Sequence, residues 1–119
     1  LKDAKAVIKK IGMCVAQPKL DGFRLQIHVD KTKKDGCFVR FFSRNLQDMT
    51  EMFPDLYAAV AALDVTTLIA EGEAIAFDPN TGNFLPFQQT AKRKRKHDVE
   101  KFIDDYPLKL YLFDCLYLD

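Results

Sequence analysis

The sequence is short of the features that most directly announce a function. Its one serine, Ser43, lies outside any nucleophile-elbow pattern, so Ser/His/Asp catalysis has little support. The five glycines are scattered and form neither GxGxxG nor GxxxxGK(S/T), which excludes the common glycine-rich phosphate loops. The three cysteines, Cys14, Cys37 and Cys115, are odd in number and widely spaced, with no CxxC or Cys/His metal spacing. They read as reduced thiols of an intracellular protein, each a small buried hydrophobe. His28 and His97 lack ligand partners at metal spacing and read as surface residues. No apolar run approaches the ~20 residues of a membrane span, and Leu1-Lys2-Asp3-Ala4-Lys5 opens no long apolar signal segment. Net charge is only +1, so the chain as a whole is not a polycation.

What is present suffices for one core: 119 residues, 48% of them hydrophobic, with 29% charged residues arguing against disorder. The chain starts at Leu and stops within the apolar run 108–118, and reads as a piece of something longer. Basic residues are unevenly placed, with five of eighteen consecutive at Lys92, Arg93, Lys94, Arg95 and Lys96. Such local clustering outweighs net charge for phosphate binding, because screening acts over roughly 8–10 Å at physiological salt.

Periodicity predicts a short amphipathic helix over 3–10, stopped by Gly12, and a strand over 13–17. Phe23, Leu25, Ile27 and Val29 alternate with Arg24, Gln26, His28 and Asp30, the pattern of a half-buried strand. A turn through Asp35-Gly36 returns the chain as a second hairpin arm over 37–43. N-cap candidates at 48–50 and Pro54 predict a helix burying Leu56, Val60 and Leu63. A strand over 67–78, broken by Gly72, precedes a turn at Pro79-Asn80-Thr81-Gly82. Helices over 87–96 and 99–104 lead to an apolar strand over 109–117, of a length that usually sits inside a sheet. The expected class is α+β, a mostly antiparallel sheet flanked by helices.

The densest polar cluster is Gln17-Pro18-Lys19-Leu20-Asp21-Gly22-Phe23-Arg24. Lysine, carboxylate and arginine around a glycine bend can converge on one small ligand, and a lysine beside an arginine can lose its proton and act as a nucleophile. A surface hairpin with a Lys–Asp pair is the other reading of the same residues. Lys19-Leu20-Asp21-Gly22-Phe23-Arg24 resembles the KxDGxR signature of the covalent nucleotidyltransferases: DNA ligases, RNA ligases and mRNA capping enzymes. Phe42-Ser43-Arg44-Asn45, Asp48-Met49-Thr50 and Phe53-Pro54-Asp55-Leu56 resemble the following segment of ATP-dependent DNA ligases. Ala70-Glu71-Gly72-Glu73-Ala74-Ile75-Ala76-Phe77-Asp78 is similar to their next motif, a glutamate on a strand. Leu85-Pro86-Phe87-Gln88-Gln89 with Lys92–Lys96 resembles the PFQ…RKRK stretch of the replicative and archaeal type, and Leu112-Phe113-Asp114-Cys115-Leu116-Tyr117 the FDxLY strand.

The resemblance implies an incomplete ATP-grasp-like nucleotidyltransferase subdomain, residues 1–119 being part of an adenylation domain whose OB-fold and DNA-binding domains lie elsewhere. It implies that Lys19 attacks the α-phosphate of ATP to form lysyl–AMP, with Mg²⁺ on the departing pyrophosphate and no metal ligand in this stretch. Asp21 and Gly22 support the site, Arg24 contacts the nucleotide, Glu73 rather than Glu71 binds the ribose hydroxyls, and Phe113 stacks on adenine. Gln17 departs from the glutamate usual two residues before the nucleophile; its side-chain carbonyl can still accept from the adenine amino group. Arg44 is expected on phosphate, at the nick of double-stranded DNA or on AMP, and Lys92–Lys96 on the DNA backbone. The implied enzyme is an intracellular, DNA-associated monomer, cytoplasmic at the nucleoid or nuclear, that needs no membrane. Without the later motifs, these 119 residues are expected not to seal nicks alone. An RNA ligase, a capping-type enzyme and a noncatalytic nucleic-acid-binding module remain the alternatives.

Overall fold

A computed structural model describes residues 2–34, 36, 38–92 and 103–119. Helix α1, Ala4–Ile11, begins where the Asp3 carboxylate accepts from the Ala6 N–H at 2.8 Å, and ends at Gly12, which takes φ +71°. It buries none of its residues, and Ile8 and Ile11 stay exposed. The predicted strand over 13–17 does not form. Met13 and Val15 are exposed, and Pro18 removes a donor just beyond them. Alternation alone makes no strand without a partner to accept its hydrogen bonds.

The sheet is built from β1 (Phe23–Asp30), β2 (Val39–Phe42), β3 (Thr67–Ala76) and β4 (Leu108–Leu118). Its order is β2-β1-β3-β4, and every pairing is antiparallel. Leu25, Ile27 and Val29 of β1, Val39 and Phe41 of β2, and Leu68, Ala70, Ala74 and Ala76 of β3 form one apolar face. Met49, Phe53, Leu56 and Val60 cover it, from the 3₁₀ turn Thr50–Met52 with its flanks and from helix α2, Pro54–Ala61. Pro54 opens α2 as expected, but the helix stops short of Leu63, which is left at the surface.

Gly72 does not break β3. The strand runs through it, and a Cβ there would lie 2.6 Å from the Tyr111 carbonyl oxygen. Glycine therefore permits close approach of β4 rather than a bend. The turn 79–82 forms, with Gly82 at φ +74° and its N–H on the Asp78 carbonyl. Helix α3, Phe87–Ala91, is pinned to the end of β3 by the buried Thr90 hydroxyl, which accepts from the Ala76 N–H at 3.0 Å. Residues 103–105 are helical; the rest of the expected 99–104 helix, the continuation of α3 past Lys92, and Cys37 lie outside the described residues. Cys14 and Cys115 are exposed rather than buried, because the first sits in the unpaired 13–20 segment and the second on an edge strand. That strand, β4, lies at the sheet edge and not inside it.

Candidate nucleotide-binding site

Strand alternation gives the sheet a second face, and it is polar. Arg24 on β1 stands opposite Glu73 on β3, and Gln26 opposite Glu71. Leu25 and its period-2 partners point the other way into the core, so Arg24 is held off the core by strand parity alone. The loop before β1 lies tightly on β3 at its last bend. A Cβ on Gly22 would meet the Ala74 carbonyl oxygen at 2.4 Å and Ile75 Cγ1 at 2.7 Å, so this position admits only glycine.

β4 supplies the third wall through an irregularity. Glu71 pairs with Asp114 and Gly72 with Leu112, which leaves Phe113 as the extra residue of a β-bulge. Bulges re-aim side chains. Here Phe113 is half-buried under the Arg24 guanidinium, whose carbon lies 4.9 Å from the ring centroid. The Phe113 carbonyl accepts from Gln17 Nε2 at 3.3 Å, tying the 13–20 segment to β4.

These elements enclose a cleft of about 310 Å³. Gln17, Lys19, Arg24, Glu73 and Phe113 all line it, joined by Pro18 and Leu20. Lys19 is exposed on the loop and faces the carboxylate, the guanidinium and the ring across this space. Burial pushes the Glu73 carboxyl above its ordinary value of 4.5, opposed by the Gly22 N–H and the Arg24 charge and reinforced by Asp21. Glu71 was not among the residues expected here as a participant, yet its Oε2 accepts from Arg24 Nη2 at 2.6 Å. The signal lay in strand parity: residues 71 and 73 share a face, and the cross-strand diagonal brings residue 24 to either.

Arg44 is exposed on a tight turn between β2 and the 3₁₀ turn, beside the same Arg24. Lys92 is half-buried, with its ammonium 4.9 Å from the Tyr106 ring centroid, while residues 93–96 of the basic run lie outside the described residues. Among the described residues no three His, Cys, Asp or Glu side chains gather as a metal-binding group, and no helix is long and apolar enough to cross a membrane.

A lysine loop, an arginine and carboxylate on paired strands and an aromatic ring thus share the polar face of an antiparallel sheet. The profile of the ATP dependent DNA ligase domain matches residues 1–119, and the chain belongs to that family. It is 51% identical over 117 residues to the probable DNA ligase of Dictyoglomus thermophilum, covering 98% of this chain and 19% of that protein. It is 43% identical to DNA ligase 2 of Thermofilum pendens, covering 100% of this chain and 19% of that one. The chain thus spans about a fifth of the length of these curated relatives. Among solved structures it is similar to the ligase domain of M. tuberculosis LigD, with TM-score 0.61 and 30% identity over 87% of this chain and 29% of that one. A mycobacterial DNA ligase D complexed with ATP and MES follows at TM-score 0.59 and 29% identity, with the same coverages.

Proposed function

We propose that this chain is the nucleotide-charging part of the adenylation domain of an ATP-dependent DNA ligase. The observation that carries the reading is the convergence of Gln17, Lys19, Arg24, Glu73 and Phe113 on one cleft. They come from the single stretch 17–24 and from two strands far from it in sequence, and each brings chemistry that ATP requires. The Phe113 ring offers a flat apolar face to adenine, and the Gln17 side-chain carbonyl an acceptor for its amino group. Glu73 accepts from the ribose hydroxyls, and Arg24 neutralises phosphate.

The Lys19 amine attacks the α-phosphorus. An N–P bond forms, the bond from that phosphorus to the bridging oxygen breaks, the amine gives up a proton to solvent and pyrophosphate leaves. A nick's 5′-phosphate oxygen then displaces Lys19 from AMP, and the 3′-hydroxyl displaces AMP to close the strand. The protein's part is positioning and preorganised charge. Mg²⁺ carried on the nucleotide phosphates would neutralise charge on pyrophosphate, and Asp21 would help orient the site around it. Arg44 and the Lys92–Lys96 run meet the DNA backbone, where clustered cations gain affinity by releasing counterions. The substrate is nicked duplex DNA inside the cell, and the enzyme acts as a monomer.

The test is the intact mass of the full-length polypeptide after ATP and Mg²⁺. One added AMP, absent in Lys19→Ala, is the expected result. No adduct on folded protein free of prior adenylation would sink the reading.

A further inference from the structure

The turn that carries Arg44 is strained at one residue and held rigid around it. Leu46 has φ +61°, in the left-handed region that a leucine adopts reluctantly, and its side chain is 70% exposed. Glycine or asparagine would sit there more easily. The surroundings leave the backbone no choice. The Leu46 N–H donates to the Ser43 carbonyl at 2.8 Å, the Ser43 N–H to the Gln47 carbonyl at 2.9 Å, and the Gln47 N–H to Ser43 Oγ at 3.2 Å. Phe42 and Asp48 close the turn as a β-bridge. Asp48 is clamped in turn, accepting from Arg40 at 2.8 Å and from the Thr50 hydroxyl at 2.6 Å. The Leu46 side chain takes no part in the core. A bulky apolar group kept outward at the expense of backbone strain points to work outside the fold.

Its neighbours indicate the ligand. A cavity of about 380 Å³ has Leu46 as its apolar wall and Arg24, paired with Glu71, Gln26, Ser43 and Arg44 as its polar ones. A second, of about 320 Å³, shares Arg24, Ser43 and Arg44 and has Phe87, also exposed, on its wall. Cationic groups are thus bracketed by exposed apolar ones. A sugar–phosphate chain presents the complementary alternation of anionic phosphates and sugars, and in DNA the sugar's C2′ is an apolar methylene.

We propose that Leu46 is a DNA-contact residue, packing on the deoxyribose of the nucleotide whose phosphate Arg44 holds and so selecting DNA over RNA at that position. The proposal rests on the nucleotide-site reading above. A ribose there would press its 2′-hydroxyl, unpartnered, onto the Leu46 methyls, and burying such a group without a hydrogen bond is unfavourable.

The test compares the full-length polypeptide as encoded with L46G, L46A and L46M, on a nicked DNA duplex and on the same duplex carrying one ribonucleotide at either the 3′-hydroxyl or the 5′-phosphate side. Lysyl adenylation by ATP is measured first: its absence in the parent protein would overturn the nucleotide-site reading, and would be seen before any DNA is added. With adenylation equal in every variant, L46G and L46A are expected to raise the KM for nicked DNA about 10-fold at unchanged kcat and to lose most of the ribonucleotide penalty. L46M should stay close to the parent, and L46G should melt no lower than it, since glycine suits the positive φ. A KM within about twofold of the parent in both L46G and L46A, or a ribonucleotide penalty they leave intact, overturns the contact. A defect confined to L46G overturns it too, because it would trace to loosening of the turn.

Discussion

Glu71 and Glu73 sit two residues apart on one face of β3, and their neighbours give them different work. Glu71 is taken up by Arg24, which it steadies over Phe113. Glu73 stays on the cleft wall, where burial raises its pKa above the ordinary 4.5. A raised carboxyl pKa means that the folded chain holds this proton more tightly than the unfolded one. The group's contribution to stability is therefore largest below its unfolded value and is lost as pH rises through the raised one. At neutral pH ionised Glu73 works against the fold. Glu73→Gln should leave the Tm unchanged or higher and weaken nucleotide affinity about 10- to 100-fold, the worth of about 1.5–3 kcal/mol for hydrogen bonds to a charged group. Thermal melts and equilibrium dialysis of both proteins check the two halves. In the parent chain, nucleotide affinity should fall on acidification at a pH above 4.5, the ordinary value for this carboxyl, and Glu73→Gln should remove that limb from the profile.

At the scale of elements, the β3–β4 pairing decides the site more than either strand alone. Its two register shifts leave Leu116 and Phe113 as extra residues, and the second delivers the ring to the cleft. Gly72 lies at that second shift, with the Tyr111 carbonyl oxygen 2.6 Å from where a Cβ would be. Backbone cannot yield as a flexible side chain can. Gly72→Ala is expected to destabilise by about 1–3 kcal/mol in denaturant melts and to weaken nucleotide binding further as β4 shifts Phe113. Normal stability and affinity would show that the strands part there at no cost. The β1–β2 hairpin and the Pro79–Gly82 turn were legible beforehand from alternation and turn residues. The bulges were not, because a bulge is a relation between two strands and the largely apolar sequence of β4 carries no mark of its partner's register.

On the scale of the whole molecule, the sheet divides labour between its faces: one is covered by α2 and the 3₁₀ turn, the other carries the cleft. β2 and β4 are the edges, and β4 leaves Leu112, Leu116 and Leu118 exposed. A long apolar edge with free backbone donors and acceptors is a template for pairing. The isolated 119-residue chain is expected to self-associate as concentration rises, and Leu116→Lys to reduce that association in sedimentation experiments. A chain that sediments as one monomeric species at all concentrations would count against an open edge.

By itself the sequence determined the local periods and the residue chemistry. Period 2 put Leu25, Ile27 and Val29 inside and Arg24 outside, and the ordered motifs named Lys19, Arg24, Glu73 and Phe113 before any contact was known. The period-2 reading succeeds because side-chain direction in a strand follows from its neighbours along the chain. The tertiary structure decided what depends on distant partners. It left 13–17 unpaired, put β4 at the edge, joined Arg24 to Glu71 rather than leaving it free, and aimed Phe113 through a bulge. Register and edge position are set by competition among strands for hydrogen bonds and apolar cover, and no stretch of the chain records the outcome of that competition on its own.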